Sequence, residues 1–186
     1  LAIIVGYELL SLRAMAGTGW GRVLAGLLFG GAAVVGMLTP VQLVPGIIYD
    51  GRSVILAAAA YLGGPTTAGV SALMAAAFRI WLGGAGTAAG VATIATSALL
   101  GTAGWYLRRR HARWERPHRL WVLGLGVHIA MLLSQLLLPR SYWDDMLTAI
   151  VVPVLLFYPV AFLLTVYIAM TLERRRRANE ELAESE

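Results

Sequence analysis

Apolar stretches separated by short polar or glycine-rich breaks recur along the whole chain. They extend from about Leu1 to Ala14, Trp20 to Leu38, Arg52 to Leu62, beyond Gly63-Gly64-Pro65 to Leu82, Thr87 to Leu107, His118 to Leu138 and Trp143 to Leu172. Several approach the ~20 apolar residues that a helix needs to cross a bilayer. Backbone groups in lipid must bond within their own segment, and the alternating pattern of a strand barrel is absent. The pattern predicts an all-α, polytopic transmembrane helical bundle of six to seven helices, with a short or broken third helix.

The positions of the arginines predict how the bundle is oriented. Basic residues follow or precede apolar segments in three places, namely Arg13 with Arg22, the six arginines between Arg108 and Arg119, and Arg174 to Arg177. Such clusters lie on the cytoplasmic side of multi-pass proteins. Counting crossings from them places the connections at 39–50, 82–86 and 139–145 on the outer side. The chain should therefore contact the lipid bilayer and end in the cytoplasm.

One connection contains residues that interrupt regular helix. Pro45-Gly46 precedes the short third segment, and both residues disfavour continuous helix. We expect a broken or re-entrant element from about Pro45 to Arg52, with an ordinary surface loop as the alternative. Irregular backbone at membrane depth is tolerated where protein or a water-filled cavity surrounds it.

Composition excludes several classes of function. Hydrophobic residues make up 59% of the chain and charged residues 13%, whereas soluble domains carry about 25% charged residues. The absence of cysteine excludes disulfides and thiolate sites. No nucleophile–base–acid set is visible, and Asp144-Asp145 suit a helix start better than a metal site. We expect no catalytic residue, no metal, no cofactor and, despite the formal charge of +5, no nucleic-acid partner.

Two arginines next to apolar segments are the best candidates for binding. Arg52 and Arg79 both fall on the predicted outer side, and a guanidinium matches the planar geometry of carboxylate or phosphate. A cation close to hydrocarbon is costly, which favours a functional reason for it. The alternative is structural, with Arg52 paired to Asp50 or either side chain reaching the interface. Asp50 could orient an arginine or repel wrong anions, and Tyr49 could donate its hydroxyl.

Other polar residues lie on the fifth and sixth segments. Gly90 would give a ligand room against the backbone, and Thr93, with Thr96 and Ser97, could complete a small polar pocket. Bonding of these hydroxyls to carbonyls of their own helix is the alternative. His128 lies near mid-membrane, where it could contact a ligand, sense protons or make a structural hydrogen bond. Pairs of glycines four residues apart, at 26/30 and 86/90, indicate close helix packing.

The end of the chain differs in composition from the rest. Residues 173–186 read ERRRRANEELAESE, which is highly charged and rich in helix formers. We predict a transmembrane domain over residues 1–172 and the start of a cytoplasmic helical linker over 173–186, continuing the last helix. A coiled-coil seam through Leu172 and Leu182 and a plain anchoring tail both remain open, because a coiled coil needs several heptads.

The middle third carries a family resemblance. After Pro45-Gly46 come Asp50-Gly51-Arg52-Ser53, then Gly64-Pro65, then Arg79-Ile80-Trp81-Leu82-Gly83-Gly84. This succession resembles the LytS/YhcK-type multi-transmembrane sensor (5TMR-LYT) family, from about Arg22 to Leu172. The resemblance implies a bacterial inner-membrane sensory module that precedes a histidine kinase, diguanylate cyclase or PAS domain. The chain itself would then contain no catalytic domain.

The resemblance also implies a ligand and an assembly. Some members respond to small carboxylates such as pyruvate, and the implicated arginines correspond to Arg52 and Arg79. A further pair of small polar residues would fall near Gly90 and Thr93, although Gly90 offers no side-chain donor. A homodimer through the last helix and linker is expected. The family is distantly similar to membrane components of vitamin-uptake systems, so a solute-binding transport subunit is the alternative, and a purely structural anchor a third.

Overall fold

The computed structural model describes residues 18–38, 41–44, 47–140 and 143–185. The apolar segment predicted for Leu1 to Ala14 lies outside the described residues. The described elements are α1 (Gly19–Leu38), strands β1 (Val41–Val44) and β2 (Ile47–Tyr49), α2 (Arg52–Leu82), α3 (Thr87–Arg110), α4 (Pro117–Ser134) and α5 (Trp143–Ser185), with short 3-10 helices at Ala112–Glu115 and Gln135–Leu137. The predicted helical bundle is confirmed. Five of these helices are long and apolar enough to cross a membrane.

Helix α2 combines the third and fourth predicted segments and is interrupted at Gly64. The backbone of Gly64 has φ 80° and ψ −168°, which lies outside the helical region, and Pro65 follows without an N–H. Residues 52–63 form a first arm and residues 65–82 a second arm. Leu56 of the first arm and Ala75 of the second belong to one buried cluster, whereas in a straight helix about 28 Å would separate them. The two arms therefore lie side by side, and the short, broken third helix is confirmed.

Helix α1 packs closely along the second arm. A Cβ at Gly26 would lie 2.6 Å from Cβ of Val70, and one at Gly30 would lie 3.0 Å from Sδ of Met74. The side-chain hydroxyl of Thr67 also donates to the carbonyl of Arg22 in α1 at 3.1 Å. The prediction that Gly26 and Gly30 serve close packing is confirmed.

The connection between α1 and α2 differs from the expectation. A broken or re-entrant element was expected from about Pro45 to Arg52. Instead, β1 and β2 pair in antiparallel fashion, with Val41 opposite Tyr49 and an irregular register between Gln42 and Val44. Pro45 and Gly46 lie outside the described residues. The β-branched residues of VQLV and IIY favour extended backbone.

The two ends of the bundle have different chemistry. One end, which we call the site end, contains the connections at 39–50, 82–86 and 139–145. Asp50 interacts electrostatically with Arg79 in the last turn of α2, and a Cβ at Gly86 would lie 3.7 Å from Leu138. At the other end, called the basic end, Tyr61 donates its hydroxyl to the carbonyl of Trp114 at 2.9 Å. The guanidinium of Arg108 lies 5.2 Å from the Tyr61 ring centroid, a cation–π contact.

Candidate ligand-binding site

The reversal of α2 brings its first and last turns together at the site end. Arg52 and Arg79 are 27 positions apart in the sequence, about 40 Å along an uninterrupted helix. Both nevertheless interact electrostatically with Asp50. Their convergence therefore follows from the break at Gly64, which sends the second arm back along the first.

Asp50 is the carboxylate of this cluster. Its Oδ1 accepts a hydrogen bond from the backbone N–H of Arg52 at 3.0 Å and lies 3.4 Å from Nε of the same arginine. Only 2% of the Asp50 side chain is exposed, compared with 12% for Arg52. Burial raises the pKa of the Asp50 carboxyl above its usual value, and the positive charges of Arg52 and Arg79 oppose that rise.

Arg79 is held in a fixed position against the start of α3. The residue is 7% exposed, and its Nη1 donates to the carbonyl of Gly83 at 2.6 Å. Gly83 has φ 68° and ends α2 in a conformation that glycine adopts without strain. A Cβ at Gly90 would lie 2.6 Å from Nε of Arg79, and one at Gly86 would lie 3.0 Å from Nη2. The glycines at 86 and 90 thus make room for a guanidinium, whereas the sequence suggested close packing of helices.

His128 is joined to the cluster through Ser53. Its Nδ1 lies 2.7 Å from the carbonyl of Gly124, which is only an acceptor, so Nδ1 carries the proton. Its Nε2 is then free to accept from the Ser53 hydroxyl at 3.3 Å. Both residues are fully buried. The two contacts hold the His128 ring next to the arginine-bearing turn.

The remaining predicted residues lie near these groups to different degrees. Thr93 is buried, and its hydroxyl accepts from the Gln135 amide at 3.3 Å. Thr96 bonds instead to the carbonyl of Ala92 in its own helix at 2.9 Å, as the alternative interpretation expected. The backbone of Tyr49 lies in β2, and its side chain is outside the described part of the structure. The Ser97 hydroxyl is buried without a hydrogen-bond partner among the described residues.

A comparison with protein-family models decides the family. The model described as 5TMR of 5TMR-LYT matches residues 10–171. The chain belongs to the 5TMR-LYT family. This family forms a membrane sensory domain of signalling receptors, so the chain is a sensory domain and not itself a catalytic one. No curated protein and no solved structure matches the chain.

Two side chains at this site of the 5TMR-LYT domain were not predicted. Tyr158 of α5 packs edge-to-face on His128, with ring centroids 5.3 Å apart, and it lies within electrostatic range of Asp50 and Arg52. Ser53 links Arg52 to His128. A signal for Ser53 existed, because it follows the arginine directly. Tyr158 had none beyond its polarity next to Pro159, since helix packing alone brings it to the site.

Proposed function

We propose that this sensory domain binds a small anion, a carboxylate such as pyruvate, between Arg52 and Arg79. The observation that supports the proposal is that two guanidinium groups, those of Arg52 and Arg79, both interact with the single carboxylate of Asp50 at the site end. Two positive charges against one negative charge leave a net charge of +1. A buried excess of positive charge is costly, and an anionic ligand would neutralise it.

The arginines keep donors for such a ligand. Within the described residues, Nη1 and Nη2 of Arg52 and Nε and Nη2 of Arg79 have no protein acceptor, because the pairing is limited to Asp50 for Arg52 and Gly83 for Arg79. A carboxylate can accept two parallel N–H bonds from one guanidinium, and such charge-assisted bonds are about twice as strong as neutral ones.

The backbone adds to the positive electrostatic potential at the site. Helix α2 begins at Arg52 and helix α3 begins at Thr87, beside the guanidinium of Arg79. A helix N-terminus is equivalent to roughly half a positive charge. Two cationic side chains and two such termini at one end favour an anion over a neutral or cationic ligand.

A route from the site to α5 supports a role in signalling. The hydroxyl of Ser53 bonds to His128, whose ring packs on Tyr158 of α5. Helix α5 then continues to Ser185, beyond the end of its candidate membrane span at Arg175. A ligand shifts a conformational equilibrium only by binding one arrangement better than another. We propose that a change in the arrangement of the arginine-bearing turn moves α5 through the contact between His128 and Tyr158.

The rest of the proposal concerns the cellular setting. The domain would lie in the inner membrane of a bacterium, with the site end outside and the basic end and the helical linker in the cytoplasm. The linker would lead to a histidine kinase or diguanylate cyclase. Two copies of the chain would form a homodimer through the last helix and the linker. A kinase, cyclase or PAS domain encoded after Glu186 would support sensing, whereas neighbouring transport ATPase genes would favour solute uptake.

Calorimetric titration with pyruvate tests the anion site. The purified protein is titrated in detergent, together with Arg79→Ala, Arg79→Lys and Arg110→Ala. Hydrogen bonds to charged groups contribute about 1.5–3 kcal/mol, so Arg79→Ala should weaken binding at least tenfold. Arg79→Lys, which keeps the charge but loses the planar fork, should weaken it less.

Arg110→Ala is the matched control, because it removes one positive charge from an exposed position at the basic end. It should bind pyruvate like the unmodified protein. Equal affinities for the unmodified protein and Arg79→Ala would overturn the proposal. Thermal unfolding of each variant establishes that a loss of binding does not reflect a loss of folding.

A further inference from the structure

Asp50 has an oxygen that the protein does not use. Oδ1 is occupied by the backbone N–H and Nε of Arg52, but Oδ2 is buried without a hydrogen-bond partner among the residues the structure describes. A buried carboxylate oxygen without a donor destabilises the folded state. Pairing with Arg52 uses only Oδ1, so it does not explain why the carboxylate of Asp50 is buried with Oδ2 unpartnered.

The groups around Asp50 come from three helices. From α2 it faces the positive charges of Arg52 and Arg79, and from α5 the hydroxyl of Tyr158 lies within electrostatic range. From α1 the uncharged residue Gly36 approaches it, since a Cβ at Gly36 would lie 4.0 Å from the Asp50 Cβ. No other carboxylate interacts with it in the described ranges. The cluster therefore carries a net charge of +1 with Asp50 ionised and +2 without that charge.

We propose that Asp50 selects the ligand by its charge, admitting monocarboxylates and rejecting dicarboxylates and other dianions. The inference rests on the proposed anion site at Arg52 and Arg79. A monoanion brings the summed charge of the three side chains, Arg52, Arg79 and Asp50, to zero. A dianion leaves one uncompensated negative charge in a buried place and puts it close to the unpartnered Oδ2, where like charges repel. Specificity of this kind depends on a repulsive group as much as on the attractive ones.

The test compares two three-carbon acids of different charge. Pyruvate and malonate are titrated into the full chain at a pH at which malonate carries two negative charges. The unmodified protein should bind malonate at least tenfold more weakly than pyruvate. Asp50→Asn keeps the shape of the side chain and the Oδ1 acceptor but removes the charge. In this variant the preference for pyruvate over malonate should fall at least tenfold or reverse.

Two further variants complete the design. Glu181→Gln removes one negative charge from an exposed position in the linker and should keep the preference for pyruvate. Asp50→Ala repeats the loss of charge without an amide, and its preference should change in the same direction as that of Asp50→Asn. Thermal unfolding confirms that both are folded.

The outcomes separate this inference from the one it rests on. An unchanged ratio of malonate to pyruvate affinity in Asp50→Asn and Asp50→Ala, with binding still dependent on Arg79, would overturn the role of Asp50 and leave the arginine site in place. Absence of binding of either acid to any of these proteins would overturn both proposals.

Discussion

Gly90 provides space for a side chain of another helix. The nearest atoms to a Cβ at this position are Nε of Arg79 at 2.6 Å and the Cδ and Cγ of the same arginine at 3.1 Å. These atoms belong to the middle of the side chain, so Arg79 would have to change its whole path to accommodate a methyl group. The position of the guanidinium thus depends on a missing side chain in α3.

Gly90→Ala should weaken pyruvate binding at least tenfold. Overpacking of a close-packed region typically costs about 1–3 kcal/mol. Here the displaced group is the guanidinium of Arg79, which we propose binds the anion. Gly126→Ala is the control, because Gly126 is also helical and has no atom within 4 Å of its Cβ position. That variant should bind normally, and isothermal titration measures both. Normal pyruvate binding by Gly90→Ala would mean that binding does not depend on the path of the Arg79 side chain along α3.

The sequence predicted the chemistry of single residues better than their partners. Arg52, Arg79 and Asp50 stand out because charge is costly beside apolar segments, and the structure brings all three together. Gly90 was expected to admit a ligand, yet it accommodates Arg79. The edge-to-face contact of His128 with Tyr158 depends on how α4 packs against α5, which no local pattern encodes.

The two arms of α2 are the element on which the site depends. Gly64 adopts φ 80°, which side chains other than glycine rarely adopt, and a Cβ there would lie 2.7 Å from the indole of Trp105. Both the backbone conformation and the contact therefore require glycine. Pro65 starts the second arm at a position where a missing N–H costs little.

Gly64→Ala should destabilise the protein by about 2 kcal/mol or more, since backbone strain of this kind costs of order 1–3 kcal/mol and overpacking a similar amount. Gly69→Ala lies in the second arm with no atom within 4 Å of its Cβ position. It should be neutral or up to about 1 kcal/mol more stable, as a helical glycine replaced by alanine. Thermal unfolding in detergent compares the two variants with the unmodified protein. If Gly64→Ala were as stable as the unmodified protein, the reversal of α2 would not require glycine at position 64.

Prediction at the level of elements succeeded where the signal is local. Gly63-Gly64-Pro65 indicates a break whatever surrounds it, and the bounds of α1 and α3 follow from continuous apolar runs. The two strands were missed because a proline–glycine pair in a membrane protein indicates either a turn or a broken helix. Their short β-branched sequences gave a weaker signal than the apolar runs on both sides.

At the scale of the molecule, α5 is the helix that both approaches the site and leaves the bundle. Tyr158 is its contact with the site, and Arg174 pairs with Glu115 of the 3-10 helix at the basic end. That ion pair is partly exposed and contributes at most about 1 kcal/mol. This ion pair alone is too weak to prevent the change in the position of the linker that signalling through α5 would require.

Spin labels should detect that change. The chain has no cysteine, so His111→Cys with Glu181→Cys, both exposed, gives a clean pair across the basic end. Pyruvate should change their distance distribution by about 1–2 Å or more, the usual size of helix shifts. Leu73→Cys with Leu99→Cys, exposed positions on α2 and α3, should not change. An unaltered first pair at saturating pyruvate would contradict signalling through α5, and Arg79→Ala should abolish the response.

The length of the first arm of α2 has a consequence for biogenesis. Residues 52–63 extend about 18 Å as a helix, well short of the ~30 Å hydrocarbon thickness, and they begin with an arginine. Such a segment has little tendency to partition from the translocon into lipid by itself. We therefore expect it to enter the bilayer together with the second arm, as a hairpin. We expect the two guanidinium groups to come together at this step of insertion.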